Sequence, residues 1–144
     1  MRYIYSIIIL LLATQTSNAQ MTTRVVRDSL FIPWELVWGP DNHIWSTQKN
    51  GFICRMEPTT GYIDTLYNET NTVIQAEGGM LGLALHPNFT TSPYVYVAYN
   101  FTQNGYKERI VRYTYNSSSQ PLSSPTILLD TIPSANYHNG CRLI

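Results

Sequence analysis

Leu36-Val37-Trp38-Gly39-Pro40-Asp41 and Leu83-Ala84-Leu85-His86-Pro87-Asn88 stand 47 residues apart and share one pattern. Each is an apolar run that stops at a proline followed by Asp or Asn, and a second strand-like run follows each. Proline cannot extend a backbone ladder, and Asp or Asn side chains bond their own main chain, so both stretches read as strand-to-turn junctions. Residues 35–38, 43–47, 52–56 and 62–67 then form a first set of four short strands, separated by Gly39-Pro40-Asp41-Asn42, Lys49-Asn50-Gly51 and Glu57-Pro58-Thr59-Thr60-Gly61. Residues 80–86, 94–100, 108–115 and 126–132 form a second set, with a Ser/Pro-rich loop over residues 116–125. Turn chemistry of this kind between alternating runs predicts antiparallel meanders. A repeat of this length made of four antiparallel strands is the signature of a β-propeller blade. The predicted fold class is therefore all-β, with about two four-stranded blades. A single eight-stranded sandwich is the competing arrangement. Ahead of the first set, residues 22–30 alternate weakly and read as an edge strand broken by Pro33-Trp34.

Composition bounds the rest. The chain of 144 residues is 44% hydrophobic and 12% charged with a formal net charge of zero, which gives no basic footprint for nucleic acid. Eleven tyrosines and three tryptophans argue for a folded chain. Residues 1–19 read as a signal peptide, with Arg2 as the positive end, an apolar run from Ile4 to Ala13, and Ser17-Asn18-Ala19 as the cleavage site. The run is too short to span a membrane. The mature protein is expected to start near Gln20, to be secreted or periplasmic, and to carry no membrane span. Cys54 and Cys141 are too few and too far apart in sequence to make a disulfide framework. Asn68, Asn88, Asn100 and Asn116 each open an N-x-[ST] sequon.

Glu77-Gly78-Gly79 immediately precedes the apolar run 80–86. A carboxylate beside two glycines at a strand's mouth is a candidate site, because glycine allows the backbone to turn or to approach a ligand closely. Tyr137-His138-Asn139-Gly140 precedes Cys141-Arg142-Leu143-Ile144, which reads as the start of a further inner strand. The chain is thus expected to be the N-terminal portion of a longer propeller, which needs roughly four to eight blades to close. Loops before two successive inner strands open on one face near the axis, so Glu77 and His138 are expected to be neighbours. Histidine titrates near neutrality and is the commonest general base, although a lone loop histidine is more often simply surface.

Taken together, Trp38-Gly39-Pro40-Asp41-Asn42-His43-Ile44-Trp45, the stretch from Glu77 to Phe89, Arg112-Tyr113, and His138-Asn139-Gly140-Cys141-Arg142-Leu143 resemble the glucose/sorbosone dehydrogenase family. The resemblance covers residues 33–144 and implies a six-bladed propeller in the complete protein. It also implies an exported quinoprotein that oxidises aldose sugars using pyrroloquinoline quinone (PQQ) and calcium. On this resemblance His138 is the general base and lies against the cofactor. Glu77 contacts the sugar, and Tyr137 stands at a further substrate-binding position. Most PQQ-binding residues and all metal ligands are expected beyond residue 144, so this chain by itself is expected neither to hold PQQ tightly nor to turn over sugar. A homodimer of the complete protein is compatible with the resemblance, and the electron acceptor is left open.

Two positions depart from the family pattern. Cys141 replaces a glycine, and Tyr137 replaces the aspartate of glucose-specific members. Tyrosine cannot give a carboxylate to a sugar hydroxyl, so strict glucose preference does not carry over. Cys54 would lie on a third strand away from the axis and Cys141 near it, which argues against a bridge between them. The alternative function is a non-catalytic propeller module that binds carbohydrate or protein.

Overall fold

A computed structural model of the chain describes residues 20–117 and 119–144; the expected signal peptide over residues 1–19 lies outside the described residues. Eight strands form: β1 (Pro33–Trp38), β2 (Ile44–Gln48), β3 (Phe52–Met56), β4 (Ile63–Asn68), β5 (Met80–Leu85), β6 (Tyr94–Thr102), β7 (Tyr106–Tyr115) and β8 (Leu122–Pro133). They make two antiparallel sheets in sequential order, β1-β2-β3-β4 and β5-β6-β7-β8. The 47-residue repeat therefore corresponds to two meanders rather than to one interleaved sandwich. Among the described residues no helix is long and apolar enough to cross a membrane.

The sheets pack face to face through one core. Along β6 every second residue, Val95, Val97, Tyr99 and Phe101, joins that core. This is the period-2 pattern of a strand with one face on a core. Trp45 of β2 is fully buried among them, its ring edge-on to Phe89 at 5.5 Å and to Tyr115 at 5.1 Å. Polar contacts also cross the interface. The Thr47 hydroxyl donates to the Leu81 carbonyl at 2.6 Å. The Met80 N–H donates to the Lys49 carbonyl at 3.1 Å. The Tyr113 hydroxyl donates to the buried carboxylate of Glu69 at 2.8 Å. Burial of the Tyr113 phenol and its bond to Glu69 push its pKa up.

The first Pro-Asp turn is fastened by its own carboxylate. Asp41 accepts from Arg55 Nε at 2.6 Å and from the Trp45 indole N–H at 3.0 Å. Burial alone would raise the Asp41 pKa, but the bonds from Arg55 and Trp45 and the Arg55 charge outweigh it, so the carboxyl titrates below its ordinary 3.8. A carboxyl lowered in the folded state adds stability that is fully present above the unfolded value and lost as pH falls through the folded one. Asp41→Asn is therefore expected to be less stable than the parent at neutral pH, with the gap closing as pH drops below about 4. Urea unfolding across a pH series reads this directly, and a gap that widened on acidification would contradict it.

Three sequence expectations change. Residues 22–30 form no strand; they run as an extended strap over the outer face of the first sheet. Arg24 donates to the carbonyls of Pro58 and Thr59 at 2.8 Å each, and Val25, Val26 and Leu30 line a cavity with Val37, Ile44 and Met56. Pro33 opens β1 instead of breaking the chain before it, because the first residue of an edge strand can lack a donor. β8 begins at Leu122, inside the Ser/Pro-rich stretch. Its ladder to β7 is irregular between Arg112 and Thr114, which accommodates Pro125 on this outer strand. Ile127, Leu128 and Leu129 on β8 are each about half exposed.

Candidate functional site

The site is built from two loops that enter neighbouring extended segments. One loop leads into β5. The other, residues 134–140, leads into residues 141–144, which lie against β5 without joining a sheet. Gly82 makes this approach possible, since a Cβ there would stand 2.6 Å from the Cys141 carbonyl oxygen.

Glu77 and His138 meet at the mouth. The His138 backbone N–H donates to the Glu77 carboxylate, and the Glu77 N–H donates back to the Asn136 carbonyl at 3.4 Å. Glu77, Tyr137 and His138 are all exposed to solvent. His138 has φ of 64°, a left-handed conformation that histidine adopts more readily than most residues. The sequence expectation that the two loops converge is met. The contact runs from carboxylate to main chain and does not involve the imidazole. Residues 132–135 and 137–140, with Glu108, line a cavity of about 540 Å³ beside it.

Buried side chains that the sequence reading did not single out support both loops. Lys49, 8% exposed, reaches from the first sheet and its ammonium donates to the Ala76 carbonyl. Gly79 sits over it at φ 153°, and an added Cβ would lie 2.6 Å from the Lys49 carbonyl oxygen. Only glycine fits there without moving the hairpin. Asn100 on β6 is 2% exposed and touches both loops, accepting from the Gly79 N–H and donating to Ser134 and Asn139. Asn139 is itself buried, and its amide donates to the Ala135 carbonyl at 2.7 Å. In the sequence Asn100 is visible only as the end of the 94–100 strand and the head of a sequon. Its burial makes that sequon incompatible with glycan attachment in the folded chain, whereas Asn68 and Asn88 are exposed.

Beyond the second loop, Arg142 Nη1 donates to the buried carboxylate of Glu35 at 3.3 Å. Cys141 and Cys54 are both free thiols. Burial, then the Glu108 carboxylate bonded to it and Glu35 nearby, push the Cys141 thiol up to about 11. It is therefore a neutral, weakly nucleophilic group near pH 7. Burial likewise raises Glu108 above the ordinary carboxyl value, outweighing bonds from Cys141 and Asn100. Among the described residues no group of three or more His, Cys, Asp or Glu side chains is placed to hold a metal ion.

Two consecutive four-stranded meanders, packed face to face with their entry loops opening together, define a segment of a β-propeller. Solved structures with the same arrangement include the PQQ-bound form of aldose sugar dehydrogenase from Streptomyces coelicolor, 31% identical with a TM-score of 0.73 over 83% of this chain and 36% of that one. A putative oxidoreductase (glucose dehydrogenase) from Thermus thermophilus is 29% identical with a TM-score of 0.71, over 81% of this chain and 35% of that one. Residues 30–144 match the family model for glucose/sorbosone dehydrogenases, and the chain belongs to that family. Quinoprotein glucose dehydrogenase B of Acinetobacter calcoaceticus is 37% identical over 131 residues, which is 84% of this chain and 27% of that protein. The chain thus spans between about a quarter and about a third of the length of these relatives.

Proposed function

We propose that this chain contributes the first two blades, and with them Glu77 and His138, to an exported quinoprotein that oxidises aldose sugars to lactones. The observation that carries this reading is the Glu77 carboxylate bonded to the main chain of His138, which brings an acceptor and a base to one exposed mouth. The relatives named above are described as sugar dehydrogenases, one of them PQQ-bound.

The backbone beside His138 is open enough for a flat quinone to reach the imidazole. Around Gly140 no atom stands within 4 Å of where a Cβ would be, so the backbone next to His138 leaves room for a ring system. His138 is the residue of this chain that would lie against it. When bound, PQQ supplies the acceptor for the hydride that leaves the anomeric carbon. The His138 imidazole takes the proton of the anomeric hydroxyl as the C–H bond breaks and the carbonyl forms. Glu77 accepts a hydrogen bond from a neighbouring sugar hydroxyl through Oε1, the oxygen that the His138 amide does not use. Tyr137, 62% exposed, offers the sugar an aromatic face and a hydroxyl in place of a carboxylate. Calcium, the remaining PQQ contacts and the electron acceptor's docking site are assigned to later blades.

The test joins residues 30–144 to the remaining blades of the Acinetobacter relative, reconstitutes the product with PQQ and calcium, and measures aldose-dependent dye reduction. The joined propeller is expected to reduce dye, and the 144-residue chain alone is not. A folded, PQQ-binding chimera without dye reduction would favour a propeller that binds sugar without oxidising it.

A further inference from the structure

We propose that Asn100 is a positioning residue of this site, and that its single buried carboxamide sets the spacing between Glu77 and His138. The inference rests on the reading in which those two side chains act together. Asn100 lies on β6, in the middle of the second sheet, and reaches the solvent with only 2% of its surface. Its Oδ1 accepts from the Gly79 N–H at 3.1 Å, two residues after Glu77. Its Nδ2 donates to Ser134 Oγ at 2.9 Å and to Asn139 Oδ1 at 3.4 Å, on either side of His138. Ser134 in turn donates to Asn139 Oδ1, closing the three side chains into a ring of bonds. The Asn100 main chain adds two more ties to the first loop, donating to the Gly79 carbonyl and accepting from the Val73 N–H, both at 2.9 Å.

The chemistry restricts which residue can do this. The position needs an acceptor toward one loop and a donor toward the other on one short, planar group. Asparagine supplies both; aspartate at neutral pH has no donor, leucine has neither, and glutamine is a methylene too long for the same seat. Aspartate would also face Glu108, its register partner on β7, across the ladder. Because β6 is rigid and central, the carboxamide transmits its position to both loops. A surface contact between the loops alone would leave their separation to solvent.

The test uses the 144-residue chain, labelled with 15N, and needs neither sugar nor cofactor. At one fixed neutral pH the His138 amide proton of the parent is expected far downfield, because it donates to a carboxylate, and Glu77→Gln is expected to move it upfield. In Asn100→Ala the same upfield move of the His138 amide is expected. The Trp45 indole N–H, held by Asp41 at the far turn of the first sheet, stays where it is and reports that the fold is intact. An unchanged His138 amide in a folded Asn100→Ala chain overturns the proposal. Should Asn100→Ala unfold, the double variant Ser134→Ala/Asn139→Ala removes only the carboxamide's partners in the second loop. The upfield move there supports the proposal, and its absence overturns it. A His138 amide that stays in place in Glu77→Gln removes the Glu77–His138 pair itself and the role of Asn100 with it.

Discussion

His138→Asn in the joined propeller is expected to lower kcat for sugar oxidation by about 10²- to 10⁴-fold, the range that a positioned general base supplies. Asparagine is the informative substitute because of the backbone. His138 holds φ of 64°, a region that asparagine tolerates and alanine resists. The His138 N–H that Glu77 holds also survives the change. A fall in kcat with little change in KM then isolates the lost proton acceptor from any loop displacement. Glu77→Gln should behave differently. Its carboxamide oxygen can still accept from a sugar hydroxyl, but as a neutral acceptor. The cost is on the order of 1 kcal/mol, several-fold, and falls mainly on KM. Equal kcat losses in the two variants would contradict the separate roles.

Trp45→Ala is expected to cost about 3–5 kcal/mol, the usual range for removing a large buried aromatic. Against a total of about 5–15 kcal/mol for a typical domain, that is a large share. The size follows from what the ring touches. It is fully buried, meets Phe89 and Tyr115 edge-on from the second sheet, and gives its N–H to Asp41 in its own sheet. One side chain therefore contributes to the packing between sheets and to the first Pro-Asp turn at once. Trp45→Phe keeps much of the packing but loses the donor and part of the ring's volume, so it should cost less, about 1–2 kcal/mol. Urea unfolding followed by far-ultraviolet circular dichroism separates the two, and a Trp45→Ala penalty no larger than that of Trp45→Phe would mean that the ring does not join the sheets.

The strands were readable because their signals are local. Each Pro-Asp or Pro-Asn junction and each glycine turn marks its own boundary, so β3 falls where residues 52–56 were read and its neighbours shift by a residue or two. The strap over residues 22–30 was not readable. Val25 and Val26 are as suited to a strand as to covering a face, and the choice depends on the sheet beneath them. β8 was read too short because proline and serine argue against a strand in general, and only its outer position makes them acceptable. The same division holds at the site. Glu77 and His138 could be brought together from the repeat alone, since equivalent loops of successive blades open on one face. Asn100 could not, because its partners lie 21, 34 and 39 residues away and no spacing rule links them. Lys49 was read only as part of a hairpin turn, although it packs under Gly79 at the entry to the next sheet.

The strap has a consequence for the order of folding. The hydrogen bonds that tie the strap and the two residues after it to the rest of the chain go to the first sheet and its turns: Phe31 N–H to the Gln48 side chain at 2.7 Å, Lys49 N–H to the Ile32 carbonyl at 3.1 Å, and Arg24 to Pro58 and Thr59. A chain that emerges N-terminus first during synthesis has both the strap and all of β1 to β4 available before β5. None of these hydrogen bonds spans more than 35 residues, so each can form before the second meander is complete. The first meander can thus cover its outer face early and present only its inner face, with Trp45, to the second. The first sheet then serves as the surface on which the second is laid down.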